Sequence, residues 1–118
     1  MQYSLMKLTE LWKKCGEVYV TKEVFNACIA TIGKWISISE LTDLMMRHRL
    51  VTSPAQVEEF TKTTLSQPER ILNLLSHVNK NGGKHGYFLL YVCLYESQER
   101  VPLGHKDAVD ELQREGKF

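Results

Sequence analysis

The amino-acid sequence predicts an all-α fold, six or seven short helices packed around one core. Three observations carry that expectation. Ser-based helix starts recur through the middle of the chain, apolar residues recur at three- and four-residue steps, and no linker or internal repeat divides the sequence. A length of 118 residues fits about one domain. With 43% hydrophobic and 25% charged residues and 3 prolines, the composition is that of a folded protein and not of a disordered one.

The elements follow in order. Residues 1–20 read as an N-terminal amphipathic helical segment, with Leu5, Leu8, Leu11, Trp12 and Cys15 at helical spacing and Gly16 as its stop. Residues 21–118 read as the helical bundle. Phe25, Cys28, Ile29, Ile32 and Ile36 stripe a helix from about Thr21 to Trp35. Ser37 with Glu40, Ser53 with Gln56 and Ser66 with Glu69 then have the spacing of capping boxes, in which two orphan N–H groups are satisfied reciprocally. Pro54 and Pro68 fall in first turns, where a missing N–H costs nothing.

Leu41, Leu44 and Met45 follow the first box, and Val57 and Phe60 the second, in a short helix ended by the Thr61–Ser66 stretch. Ile71, Leu74, Leu75 and Val78 follow the third, with Asn79–Gly83 supplying left-handed conformations for a C-terminal cap. Tyr87–Tyr95 is apolar all round. A lone strand among helices would leave its hydrogen-bonding edges unpaired, so a helix buried on every side is expected there. Val101–Gly104 reads as a loop and Lys106–Arg114 as a last helix carrying Val109 and Leu112. The expected core is Ile29, Ile32, Leu41, Leu44, Phe60, Ile71, Leu74, Leu75, Phe88, Leu89 and Val92.

Signals for chemistry are sparse. Fifteen Lys+Arg against fourteen Asp+Glu give a formal charge of +1, unlike the basic excess of a dedicated nucleic-acid binder. His48, His77, His85, His105 and the 3 cysteines lack close metal-ligand spacing. Cys28 and Cys93 read as small core residues, and Cys15, beside Lys13 and Lys14, as a partly exposed thiol. Asn81–Gly86 lacks the Lys-Ser/Thr ending of a phosphate loop. No catalytic, cofactor-binding or metal-ligating residue is assigned, and no small-molecule substrate is expected.

Glu40–Glu59 has the outline of a helix-turn-helix, which keeps a small helical DNA-binding domain as an alternative. Its second helix, however, carries Glu58 and Glu59, which repel a phosphate backbone. Arg47, His48 and Arg49 read as a solvated turn. No membrane contact is expected, because a span needs roughly 20 consecutive apolar residues. The N-terminus lacks a signal peptide's apolar stretch, so the expected location is cytoplasmic.

Charge is unevenly placed. At about 100° per residue, Arg70, Asn73, His77 and Lys80 share one face, opposite the apolar stripe of their helix. Glu40, Asp43, Glu58 and Glu59 decorate the two preceding helices. Near-zero net charge with patches of both signs suits association in which one face docks on another face of a neighbour.

Ser39–Thr52 resembles the second helix of a caspase-recruitment domain (CARD), where a leucine-rich helix runs into a short turn. Gln56–Thr64 is similar to the brief third helix of that family, Gln67–Gly82 to the fourth, and Gly86–Glu96 to the buried fifth. The resemblance covers roughly Thr21 to Leu112. Met1–Val20 has no counterpart in the six-helix pattern, and Ser97–Lys106 is longer than usual. A sister death-fold subfamily, the death or death-effector domain, is the alternative.

The resemblance implies a six-helix antiparallel Greek-key bundle, the death fold, with an additional N-terminal helical segment and no enzymatic activity. It implies recruitment of another CARD-containing protein, of further copies of the same chain, or of both, in apoptotic or innate-immune signalling. Carried over by position, Lys34, Arg70, His77 and Lys80 would form a basic interaction face. Glu40, Asp43, Glu58 and Glu59 would form the acidic face that meets it.

Overall fold

The computed structural model describes residues 5–100 and 102–116, with side chains from residue 6 onward apart from those of residues 102 and 103. Met1–Ser4 of the N-terminal segment, the Leu5 side chain of its apolar stripe, and Val101 of the expected loop lie outside that description. Among the described residues seven α-helices follow one another: α1 (Leu5–Lys14), α2 (Lys22–Ile32), α3 (Ile38–Arg47), α4 (Pro54–Thr61), α5 (Gln67–Asn81), α6 (Gly86–Ser97) and α7 (Pro102–Glu115). Short 3₁₀ turns follow α2 (Gly33–Trp35) and precede α6 (Gly83–His85).

The fold is organised by α6. Every residue from Gly86 to Leu94 is buried, so this helix is the core element that its uniformly apolar sequence requires. It packs on α3, α5 and α7, while α2 lies along α7 and α4 along α5. Tyr91 crosses the core with its hydroxyl donating to the Cys15 carbonyl (3.2 Å) and accepting from the Gln113 amide (3.1 Å). One buried phenol thus ties α6 to the end of α1 and to α7.

The expected core is buried except at two positions: Ile29 and Leu75 are half-buried and border a groove described below. Leu8, Leu11 and Cys15 of α1 belong to the same apolar cluster as the bundle. Cys15, expected to be partly exposed, has no exposure, and burial pushes its thiol up to about 12 against the weaker pull of Lys14. It is a core residue like Cys28 and Cys93.

Of the three capping boxes, one forms as expected. The Ser66 hydroxyl accepts from the Glu69 N–H (3.4 Å), and the Glu69 carboxylate accepts from the Ser66 N–H (3.4 Å). At Ser53 the reach shifts by one residue: Gln56 Oε1 accepts from the Thr52 N–H (2.8 Å) and hydroxyl (3.1 Å). At Ser37 no side-chain cap forms, and the Ser37 N–H donates to His105 Nε2 instead (2.9 Å). A buried imidazole from α7 replaces the expected Glu40 carboxylate.

Two other boundaries differ from expectation. The left-handed conformation after α5 belongs to Gly83 (φ 63°), while Asn79 and Asn81 stay helical. The stretch read as a loop before Lys106 is already helix, since α7 begins at Pro102. A proline is tolerated in a first helical turn, which makes it an ambiguous breaker. Gly104 fixes how this turn seats: a Cβ there would come within 2.6 Å of the Trp35 carbonyl oxygen.

Candidate interaction surface

The basic stripe expected along α5 is built differently from its reading in the sequence. Arg70, Asn73 and His77 do share one flank, but that flank faces α4 and its adjoining turns. Arg70 Nε donates to the Lys62 carbonyl (3.1 Å), and Asn73 Nδ2 to the Glu59 carbonyl (2.8 Å). His77 Nε2 bonds the Leu50 carbonyl (2.6 Å), and Asn81 Nδ2 bonds His77 Nδ1 (3.3 Å). A carbonyl only accepts, so Nε2 carries the proton and Nδ1 accepts from the amide.

These contacts clasp α4, an eight-residue helix whose one buried residue is Phe60. So short a helix cannot hold itself by propensity, and side-chain bonds to its carbonyls replace what length does not supply. His77 is therefore a buried structural residue and contributes no exposed charge. Arg70 is half-buried, with its guanidinium drawn toward the end of α4.

Lys34 and Lys80, both exposed, stand on opposite sides of α5. Lys80 lines a polar cleft of about 450 Å³ together with Glu59, Lys62, Asn73 and Ser76. Opposite charges thus adjoin in this cleft, and the two patches are not separated as the sequence implied. Lys34 lies instead at an apolar groove of about 500 Å³ between α2 and α5, formed chiefly by Ile29, Gly33, Ile71, Leu72 and Leu75. Its ammonium sits 5.2 Å from the centre of the Trp35 ring. Leu72 is 67% exposed and Trp35 46% exposed, so this side of the molecule offers large apolar groups to solvent beside a cation.

The acidic residues are where the helical pattern puts them. Glu40 and Asp43 are exposed on α3, Glu58 and Glu59 on α4. Among the described residues, none of these four carboxylates enters an ion pair. Met46, 42% exposed, lies one turn beyond Asp43 on α3. Two surfaces of matching character result: an apolar groove with a lysine, and a helix face with carboxylates and one exposed methionine.

The Arg47–Arg49 run is not a simple solvated turn. His48 is buried and hydrogen-bonded to Glu96 of α6, whose carboxylate also meets Lys14 (3.3 Å) and Arg47 (3.8 Å). Burial opposes the charge on Glu96. The His48 hydrogen bond and the His48 and Lys14 charges together outweigh that burial and hold the carboxyl below its usual range. Nothing in the sequence links these positions, because they lie on three separate elements.

Among the described residues, no three His, Cys, Asp or Glu side chains come together as metal ligands. No described helix is long and apolar enough to cross a membrane. Compared with known proteins, the chain matches no family model, no curated protein and no solved structure.

Proposed function

We propose that this chain is a non-enzymatic interaction module that docks head-to-tail on copies of itself or on bundles of the same kind. The carrying observation is the pair of complementary surfaces: the apolar groove with Lys34 on α2 and α5, and the carboxylates beside Met46 on α3. Buried apolar contacts supply affinity in such interfaces, and opposite charges set partner choice and on-rate. Exposed Trp35 beside Lys34 adds a residue type that often anchors an interface.

The finer reading is a CARD-like death fold acting in apoptotic or innate-immune recruitment. Its support is the resemblance of Ser39–Thr52, Gln67–Gly82 and Gly86–Glu96, together with a helical bundle in which α2–α7 follow the expected order. Lys34, Glu40, Asp43, Glu58 and Glu59 would carry the charge selectivity. Lys80 and Arg70 flank α4, and His77 has a structural role.

Sedimentation or light scattering across a concentration series tests the proposal. Association should grow with concentration and weaken between about 0.05 and 0.5 M salt, where screening acts over about 10 Å or less. Leu72→Asp should abolish it without unfolding the chain. A strictly monomeric protein at high concentration that also captures no separately prepared CARD would contradict the proposal.

A further inference from the structure

His105 lies in the opening turns of α7 with no exposure, where α7 meets both the end of α6 and the start of α3. Its two ring nitrogens have fixed and different roles. The Ser37 main-chain N–H donates to Nε2 (2.9 Å), and a main-chain N–H can only donate. Nε2 therefore holds no proton, and Nδ1 carries the one proton of the neutral ring. Nδ1 donates to Ser97 Oγ (2.6 Å), and the Ser97 hydroxyl in turn donates to the Leu94 carbonyl (3.0 Å).

Each donor in this network is committed, and among the described residues Nε2 has no bonded acceptor for a second ring proton. Placed on Nε2, it would point head-on at the Ser37 N–H. The ring cannot slide away cheaply, because neighbouring Gly104 already packs against the Trp35 carbonyl. The Ser37 hydroxyl makes no cap to α3 and bonds the Ser39 hydroxyl instead (3.4 Å), so His105 is the partner that holds the Ser37 main chain to α7.

The charged groups around this junction are few. From the first turn of α3, the Glu40 carboxylate favours a proton on the ring, but burial disfavours it more strongly and His105 is held below its ordinary value. On the 3₁₀ turn, Lys34 is stacked over Trp35. On α6, Glu96 is occupied by His48, Lys14 and Arg47. Lys106 and Asp107 of α7 are exposed.

We infer that His105 is an acid-released latch: proton uptake at Nε2 parts α7 from the start of α3 and loosens the helix that carries Glu40 and Asp43. The latch stands on the hydrogen-bond geometry alone. Its consequence, weaker docking in mild acid, rests on the association proposed above. The folded ring binds fewer protons than the unfolded one, so the junction is firm above about pH 6.5 and loses stability as pH falls below it. Within that window, linkage of one proton raises the opening constant by up to about tenfold per pH unit.

The test is amide hydrogen exchange of the full chain from pH 8 to pH 5, corrected for the intrinsic rate, with NMR of the imidazole nitrogens. The expected result is a neutral ring protonated at Nδ1. Protection of Ser37–Ser39 and of the first turns of α7 should fall by several-fold or more per pH unit below about 6.5. His105→Gln offers Ser37 an acceptor that does not titrate, so its protection at this junction should stay level. If that variant fails to fold, Ser97→Ala supplies the second arm: it removes the Nδ1 acceptor but keeps the Nε2 contact, so junction protection should be lower at pH 8 and still fall below about pH 6.5, and a flat profile would overturn the latch.

A ring protonated at Nε2, or wild-type protection at Ser37 that is flat across this range, would overturn the latch. Protection that falls in acid in a chain that never associates would sustain the latch and remove the docking that it is proposed to regulate.

Discussion

Glu96 gathers Lys14, Arg47 and His48 on one carboxylate, and those partners come from α1 and from the end of α3. Because its folded carboxyl titrates below the usual range, the stability that it contributes is present above about pH 4.3 and is lost as pH falls through the folded value. Glu96→Gln should flatten the acid side of a stability–pH curve measured by urea unfolding; an unchanged acid limb would remove this role. Core residues divide just as sharply. Leu74 is buried and Leu74→Ala should cost about 2–5 kcal/mol. Leu75 is half-buried, so Leu75→Ala should cost clearly less in the same experiment. The helical period identified both leucines as core-facing, but it could not see that Leu75, with Ile29, borders an open groove between α2 and α5. The period likewise placed Arg70, Asn73 and His77 on one flank correctly. What it lacked was the position of α4, which turns that flank from a solvent face into a clasp.

At the level of elements, the helices themselves were legible, since apolar spacing and Ser66–Glu69 are local signals. The misreadings came where a distant element supplied the local partner. Ser37 is capped from α7 rather than by Glu40, and Gln56 reaches Thr52 rather than Ser53. The α4 clasp yields a prediction at this scale. Asn73→Ala removes one bond to a carbonyl of α4 and should cost about 0.5–1.5 kcal/mol, with the loss of exchange protection centred on Pro54–Thr61. A loss spread evenly over the bundle would argue against a local clasp.

Helix α1 bears a heavier load. Deleting residues 1–20 removes Leu8, Leu11, Cys15, Val18 and Val20 from the core. Each fully buried aliphatic side chain is worth roughly 1.5–3 kcal/mol, against a total stability near 5–15 kcal/mol. The truncated chain should therefore lose most of its cooperative thermal transition. An unshifted midpoint would show that α1 is dispensable.

For the whole molecule, an all-α bundle with a buried sixth helix was readable from composition and period, whereas the two surfaces proposed to dock were only half readable. Glu40, Asp43, Glu58 and Glu59 are exposed as the pattern required. The groove was invisible in sequence because it is made by two helices far apart in the chain, α2 and α5. Reversing Arg70 alone would be an ambiguous test, since the same side chain holds the Lys62 carbonyl. Among the described residues neither Lys34 nor Asp43 enters an ion pair and both are exposed, so reversal should change stability by about 0.5 kcal/mol at Asp43 and by up to about 1 kcal/mol at Lys34, which also loses its contact with Trp35.

Those two positions give the decisive measurement, sedimentation of Lys34→Glu and Asp43→Lys separately and mixed in equal amounts at low salt. Each variant keeps one intact surface and spoils the other, so each alone should remain monomeric. The mixture should form a 1:1 complex and stop there, because the Lys34 groove intact on one chain meets the α3 face intact on the other and no further contact is possible. Variants that associate as the wild type does, or a mixture that remains monomeric while the wild type associates, would contradict head-to-tail docking through these surfaces.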